Sequence, residues 1–118
     1  VQEAEYELYV PLTGDWQEAV QAVEAYNKAP EAMVHRVTPK TNKMIETKQY
    51  MLKPVKLSMA GDLLKLYMDI AITQSGSVKP GEILKLLQAE YNLPVDEPKV
   101  LIKRIFMKGQ GKALIDLV

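Results

Sequence analysis

Cysteine is absent from the 118 residues. Disulfides, thiolate zinc sites, cysteine-ligated iron–sulfur clusters and thiol nucleophiles are therefore excluded for this chain. Histidine occurs once, as His35, so a multi-histidine metal site or a Ser-His-Asp triad would need other residue types or another chain to complete it. No uninterrupted apolar stretch approaches the roughly 18 residues of a membrane-spanning helix. Net charge is also missing, with 15 Lys+Arg against 15 Asp+Glu. What is present is a 47% hydrophobic composition with ordinary charge content, which argues against intrinsic disorder and for a soluble globular domain. The length suits one compact domain. We read residues 1–118 as that single domain, expect it to be a fragment of a longer chain because it opens at Val1 on a strand-like run, and expect it in the cytoplasm.

The neutral total conceals four blocks. Residues 1–31 hold one basic against seven acidic side chains, a net of −6, and residues 32–60 hold six against one, a net of +5. Residues 61–98 come to −3 and residues 99–118 to +4. Such segregation produces acidic and basic faces on folding, or blocks that pair with one another.

Residues 3–12 alternate, with Tyr6, Leu8, Val10 and Leu12 on one side and Glu3, Glu5, Glu7 and Tyr9 on the other, the pattern of a half-buried strand. Asp15 with Glu18 three residues later has capping-box spacing. A helix is predicted over 15–28, its inner stripe Trp16, Ala19, Val20, Val23 and Tyr26. Residues 33–38 read as a second strand, followed by a polar turn. Residues 53–59 and 63–72 form a hairpin about Gly61-Asp62, with Leu64, Leu66, Met68, Ile70 and Ile72 inward. Pro80 begins a helix over 80–91, residues 99–107 make a last strand, and residues 113–118 form an apolar tail that can add a short strand. The order gives an α+β, ferredoxin-like βαββαβ sandwich, an antiparallel sheet with two helices on one face and an inserted excursion between strands 2 and 3. The other face of the sheet is left for solvent or a partner.

Few constellations carry chemistry. His35 is read as structural or solvated, and Asp62, Asp69, Asp96 and Glu97 as turn or solvated carboxylates, because no spacing selects an acid–base pair. Residues 76–81 have the glycine spacing of a phosphate loop, but Glu82-Ile83 stands where Lys-Ser/Thr is required. The six methionines, on predicted strands, suit core filling or a partner-facing sheet. The basic material is more suggestive. Arg36, Lys40, Lys43, Lys48, Lys53 and Lys56 surround Tyr50, and Lys103 and Arg104 stand beside Phe106. Cations interleaved with aromatics suit RNA, although the basic-aromatic signature of an RNA-recognition motif is missing from residues 63–72 and charged strand faces are commonly just solvated, guarding edges against aggregation.

Taken together, the run Glu3-Ala4-Glu5-Tyr6-Glu7-Leu8, the basic turn at 38–43, the 45–55 stretch, the 64–72 strand and Val78-Lys79-Pro80-Gly81-Glu82-Ile83-Leu84 resemble one family. It is the C-terminal half of the bacterial radical SAM-linked (radical SAM-associated) proteins, found beside or fused to radical SAM iron–sulfur enzymes. The resemblance implies a non-catalytic accessory module that binds a substrate such as RNA, or the partner enzyme, in cis or in trans. The parent protein or its partner is then an iron–sulfur oxidoreductase, and the cluster and S-adenosylmethionine belong to that partner or to another segment. The residues expected to make the contact are Arg36, Lys40, Lys43, Lys48, Lys53, Lys56, Lys103 and Arg104. No catalytic, cofactor-binding or metal residue is assigned. The alternatives are a structural homo-oligomerisation domain and a small acid–base enzyme using His35 with a carboxylate.

Overall fold

In the computed structural model, residues 2–74 and 76–108 are described. The first alternating run forms β1 (Gln2–Pro11), and the apolar run in the middle of the chain forms β5 (Leu63–Ile72). They pair antiparallel over their whole length, from Gln2 opposite Ile72 to Pro11 opposite Leu63. Because strand side chains alternate, this register sends Ala4, Leu8, Val10, Leu64, Leu66, Met68 and Ile70 to one face, where all are buried. Two flanking strands complete the sheet, β4 (Lys56–Ala60) against β5 and β6 (Leu101–Lys108) against β1, giving the order β4-β5-β1-β6. All three pairings are antiparallel, an arrangement compatible with a ferredoxin-like fold.

Helices α1 (Trp16–Lys28) and α2 (Pro80–Tyr91) supply the rest of the core, with Ala19, Val23 and Tyr26 from the first and Ile83, Leu84 and Leu87 from the second. Glu18 reaches back to accept the Asp15 backbone N–H at 3.0 Å, as the capping-box spacing predicts. Trp16, assigned to the inner stripe from sequence, is exposed in the first turn, and Ala22 is buried in that stripe. Tyr26 and Tyr91 meet edge to face across the two helices, their ring centroids 5.8 Å apart. The hairpin from β4 to β5 turns through Gly61-Asp62, with Gly61 at φ +64°, the left-handed region a two-residue loop requires and glycine adopts without strain.

One topological expectation is corrected. The strand at Met33–Thr38, here β2, does not join the main sheet; it pairs through a two-residue turn with β3 (Thr41–Glu46) as a separate hairpin. The nearest partner in sequence is the cheapest to reach, because closing a short loop forfeits the least chain entropy. The excursion therefore precedes the sheet's second strand in chain order, which is β4, instead of following it. The 113–118 tail expected from sequence lies outside the described residues.

A short run of polar contacts ties this hairpin to the helices. Thr47, in a 3-10 turn over Thr47–Tyr50, is fully buried and donates its hydroxyl proton to the Ala32 carbonyl at 2.7 Å. That proton being committed, the Tyr26 hydroxyl at 2.9 Å must be the donor to Thr47 Oγ1. Burial pushes the Tyr26 phenol up to about 12, so it remains a donor at any working pH. Lys48 caps the C-terminus of α1 by donating to the carbonyls of Tyr26 (2.8 Å) and Asn27 (3.1 Å), and its ammonium lies 4.4 Å from the centre of the Tyr26 ring. The Asn27 side chain clasps Val55 through both backbone groups, at 2.9 and 3.0 Å, and so aims the chain into β4. Thr47→Val strands the Tyr26 hydroxyl in the core, while the Ala32 carbonyl keeps the Thr47 backbone N–H at 2.8 Å. We expect a loss of about 2 kcal/mol, measured by urea denaturation, with a loss near zero refuting the donor chain.

Candidate functional site on the open sheet face

The face of the sheet turned away from the helices carries the odd-numbered residues of β1 and β5. Side chains on it interact diagonally, each β5 residue reaching toward the β1 residue two positions nearer the N-terminus than its register partner. Lys65, opposite Tyr9, pairs with Glu7 at 3.0 Å. Tyr67, opposite Glu7, donates to Glu5 at 2.5 Å. Asp69, opposite Glu5, comes to Glu3. The first two rungs join a donor to a carboxylate, whereas the third joins two carboxylates. Glu3, Glu5 and Asp69 each offer an oxygen within 4.8 Å of the other two.

Each rung bears on protonation. The Tyr9 hydroxyl, donating to Glu7 at 2.6 Å, and the Lys65 ammonium hold the Glu7 carboxyl below its usual range. Asp69 is the opposite case. Its side chain is 0% exposed and both carboxylate oxygens are buried without a hydrogen bond from any described residue. The ammonium of Lys53, itself 52% exposed, stands 3.7 Å away, an ion pair beyond hydrogen-bond reach. Burial first and the neighbouring Glu3 second push the Asp69 carboxyl up to about 6. The main-chain carbonyl of Asp69 is satisfied, accepting from Leu52 N at 2.9 Å, and beside it Met51 bridges to Ile70. Residues 51–53 thus extend the edge of the sheet beside Asp69.

The basic residues assigned from sequence do not form one patch. Arg36 is half-buried and spent on structure: it grips Glu82 of α2 at 2.6 and 2.9 Å and donates to the Ser77 carbonyl at 3.1 Å. Lys48 is the helix cap described above. Lys53 and Lys56 belong to the open sheet face, Lys53 beside Asp69 and Lys56 with its ammonium 5.9 Å from the Tyr67 ring centre. Lys103 stands opposite Glu7 on that face, and Arg104 opposite Tyr6 on the helix side of β6. Lys40 and Lys43 are exposed near the tip of the β2–β3 hairpin. His35, on the outer face of the same hairpin, has Asn42 as its partner at 2.5 Å. The start of α2, which follows the phosphate-loop glycine spacing of residues 76–81, is filled by its own Glu82, which accepts the Lys79 backbone N–H at 2.9 Å.

The cluster of Glu3, Glu5 and Asp69 was not assembled from sequence. Alternation places Glu3 and Glu5 together and Asp69 outward, but only the pairing of β1 with β5, in this register, makes them neighbours. Comparison of the chain with protein-family models, with curated proteins and with solved structures finds no match.

A pH signature follows from Asp69. A carboxyl raised to about 6 in the fold binds more protons folded than unfolded between roughly pH 4 and 6. Its contribution to stability is accordingly lost as pH rises through that window. Asp69→Asn, with an amide that can donate to Glu3, is expected to stabilise the protein by about 1–2 kcal/mol at pH 8 in the presence of a chelator. The gain should shrink toward zero near pH 4. Urea midpoints at pH 4, 6 and 8 test this, and a gain independent of pH contradicts it.

Proposed function

We propose that this chain is a non-catalytic, ferredoxin-like accessory module of a radical SAM enzyme system, and that it docks on the partner enzyme through the β2–β3 hairpin. The resemblance in sequence supplies the enzyme class. The observation that carries the docking surface is the two-sidedness of the hairpin. Its inner side holds Val34, Arg36 and Ile45, and is fastened to α2 through the paired hydrogen bonds of Arg36 and Glu82. Its outer side leaves Met33 (39%), Val37 (64%) and Met44 (54%) exposed about His35. Apolar side chains gathered on a polar-rimmed surface are the mark of a protein interface, and Lys40 in the turn, with the exposed Lys43 opposite Arg36 on the inner side, adds charge at the hairpin tip that steers an acidic partner.

A protein partner fits this arrangement better than RNA. Arg36 and Lys48 are withdrawn into structural contacts, and the open sheet face, where a ferredoxin-like module would stack bases, has carboxylates near its centre. Those carboxylates repel a phosphate backbone. The iron–sulfur cluster draws its cysteines from outside this chain, which has none.

The test is binding of the purified chain to its neighbouring radical SAM enzyme by calorimetry. Val37→Ser with Met44→Ser is expected to weaken association at least tenfold while leaving the thermal midpoint within about 2 °C, because both side chains already face water. Association unaffected by the pair, or salt-sensitive binding of bacterial RNA lost on Lys40→Glu with Lys43→Glu, overturns the reading. Light scattering showing a dimer that the same serine pair dissociates replaces it with homo-oligomerisation.

A further inference from the structure

The third rung of the open-face ladder is the unexplained one. On the first two, a lysine and a tyrosine meet their carboxylates at hydrogen-bond distance. On the third, Asp69 meets Glu3, with Glu5 beside them, and like charges on facing strands repel. Asp69 is completely buried and, among the described residues, neither of its oxygens accepts a hydrogen bond. A buried carboxylate in that condition forfeits its hydration with nothing in return. Lys53 compensates only in part, being half exposed and 3.7 Å distant.

We propose that Glu3, Glu5 and Asp69 form a binding site for a hard divalent cation, such as calcium or magnesium, on the open face of the sheet. Three observations converge. The donors are all carboxylate oxygens, the ligands that such cations prefer. Three oxygens within 4.8 Å of one another have a common centre within about 2.8 Å of each, so a closure of a few tenths of an ångström brings all three to a calcium–oxygen bond of roughly 2.3–2.6 Å, and magnesium, with bonds of roughly 2.0–2.1 Å, draws them closer. The charge also matches: three carboxylates against the Lys53 ammonium leave −2 in the cluster.

The supports of the site are those expected of a ligand set. Tyr67 donates to Glu5 and fixes its carboxylate, and the Asp69 main chain is held by Leu52. β1 and β5 are the two central strands of the sheet, so Glu3, Glu5 and Asp69 are mounted on its most constrained backbone. Lys53 lies on the 51–53 segment beside Asp69 and is exposed enough to swing away when a cation arrives. The groups that face the cluster among the described side chains are Tyr67 on β5, Lys53, and Lys56 on β4 above Tyr67. The site is independent of which partner the hairpin takes.

Calorimetric titration of the chelator-treated chain at pH 7.5 with calcium chloride, and separately with magnesium chloride, tests the proposal. One ion per chain is expected, with a Kd on the order of 10⁻⁴–10⁻³ M for a site of three carboxylates of which only Glu3 and Glu5 are partly open to water. The thermal midpoint should rise by about 4 °C or more at 10 mM of the ion that binds. Asp69→Asn and Glu3→Gln should each weaken binding at least tenfold, and Lys53→Ala should tighten it about threefold by removing the competing ammonium. Asp69→Asn is expected to fold at least as stably as the parent, and Glu3→Gln gives a second reading should it not. A saturable one-to-one signal lost in both acidic variants supports the site, and the stronger of the two ions identifies its size. No signal from either salt at 10 mM, or one that survives Asp69→Asn and Glu3→Gln, overturns it and leaves the pair of carboxyls as sharers of a proton.

Discussion

The pairing of β1 with β5 is the constraint from which the rest of the molecule follows. Two ten-residue strands lie antiparallel with every residue matched, and because strand side chains have a period of two, that register decides the fate of twenty positions together. One parity builds the core with α1 and α2. The other builds a face with no helix on it, and a slip of one residue would exchange them, burying Glu3, Glu5 and Lys65 where Leu8, Leu64 and Leu66 now pack. The hydrophobic pattern makes such a slip untenable, so the register is fixed by the core and the open face inherits it.

The acidic cluster is a by-product of that inheritance. Diagonal neighbours across β1 and β5 are complementary at Lys65–Glu7 and Tyr67–Glu5 and conflict at Asp69–Glu3. Burial deepens the conflict, since it removes the water that would otherwise screen Asp69, and the carboxyl is raised accordingly. A proton or a cation each resolves the repulsion, one by removing a charge and the other by bridging charges, and which prevails is set by their concentrations.

The β2–β3 hairpin obeys different physics. It contributes Ile45 to the core, but what fixes its position is polar: the Arg36–Glu82 fork, the Thr47 and Tyr26 hydroxyls, and the Lys48 cap. Glu82 serves both the hairpin and the first turn of α2, and the Arg36 guanidinium beside it holds its carboxyl below the usual range. The basic character of this segment is thus largely consumed in attaching it, while the side that remains free is apolar.

Much of the architecture was legible in the residues. The alternation of 3–12 and 63–72, the Asp15–Glu18 spacing, Pro80 at a helix start and Gly61 in a turn each rest on interactions between near neighbours, and near neighbours are what a sequence displays. By contrast, the second sheet strand was misassigned because residues 33–38 and 56–60 have similar local patterns, and only the competition between partners separates them. The basic residues were grouped because they are close along the chain, yet Arg36, Lys48 and Lys53 take unrelated carboxylate or carbonyl partners in three dimensions. Sequence alone settled the absence of thiol chemistry, the strand and helix periodicities, and the parity of each side chain, since these depend on composition and backbone geometry. Tertiary structure alone decided which strands meet, and therefore that Asp69 lies beside Glu3 and Glu5 across more than sixty residues of chain, because contact at that separation is set by how the whole core closes.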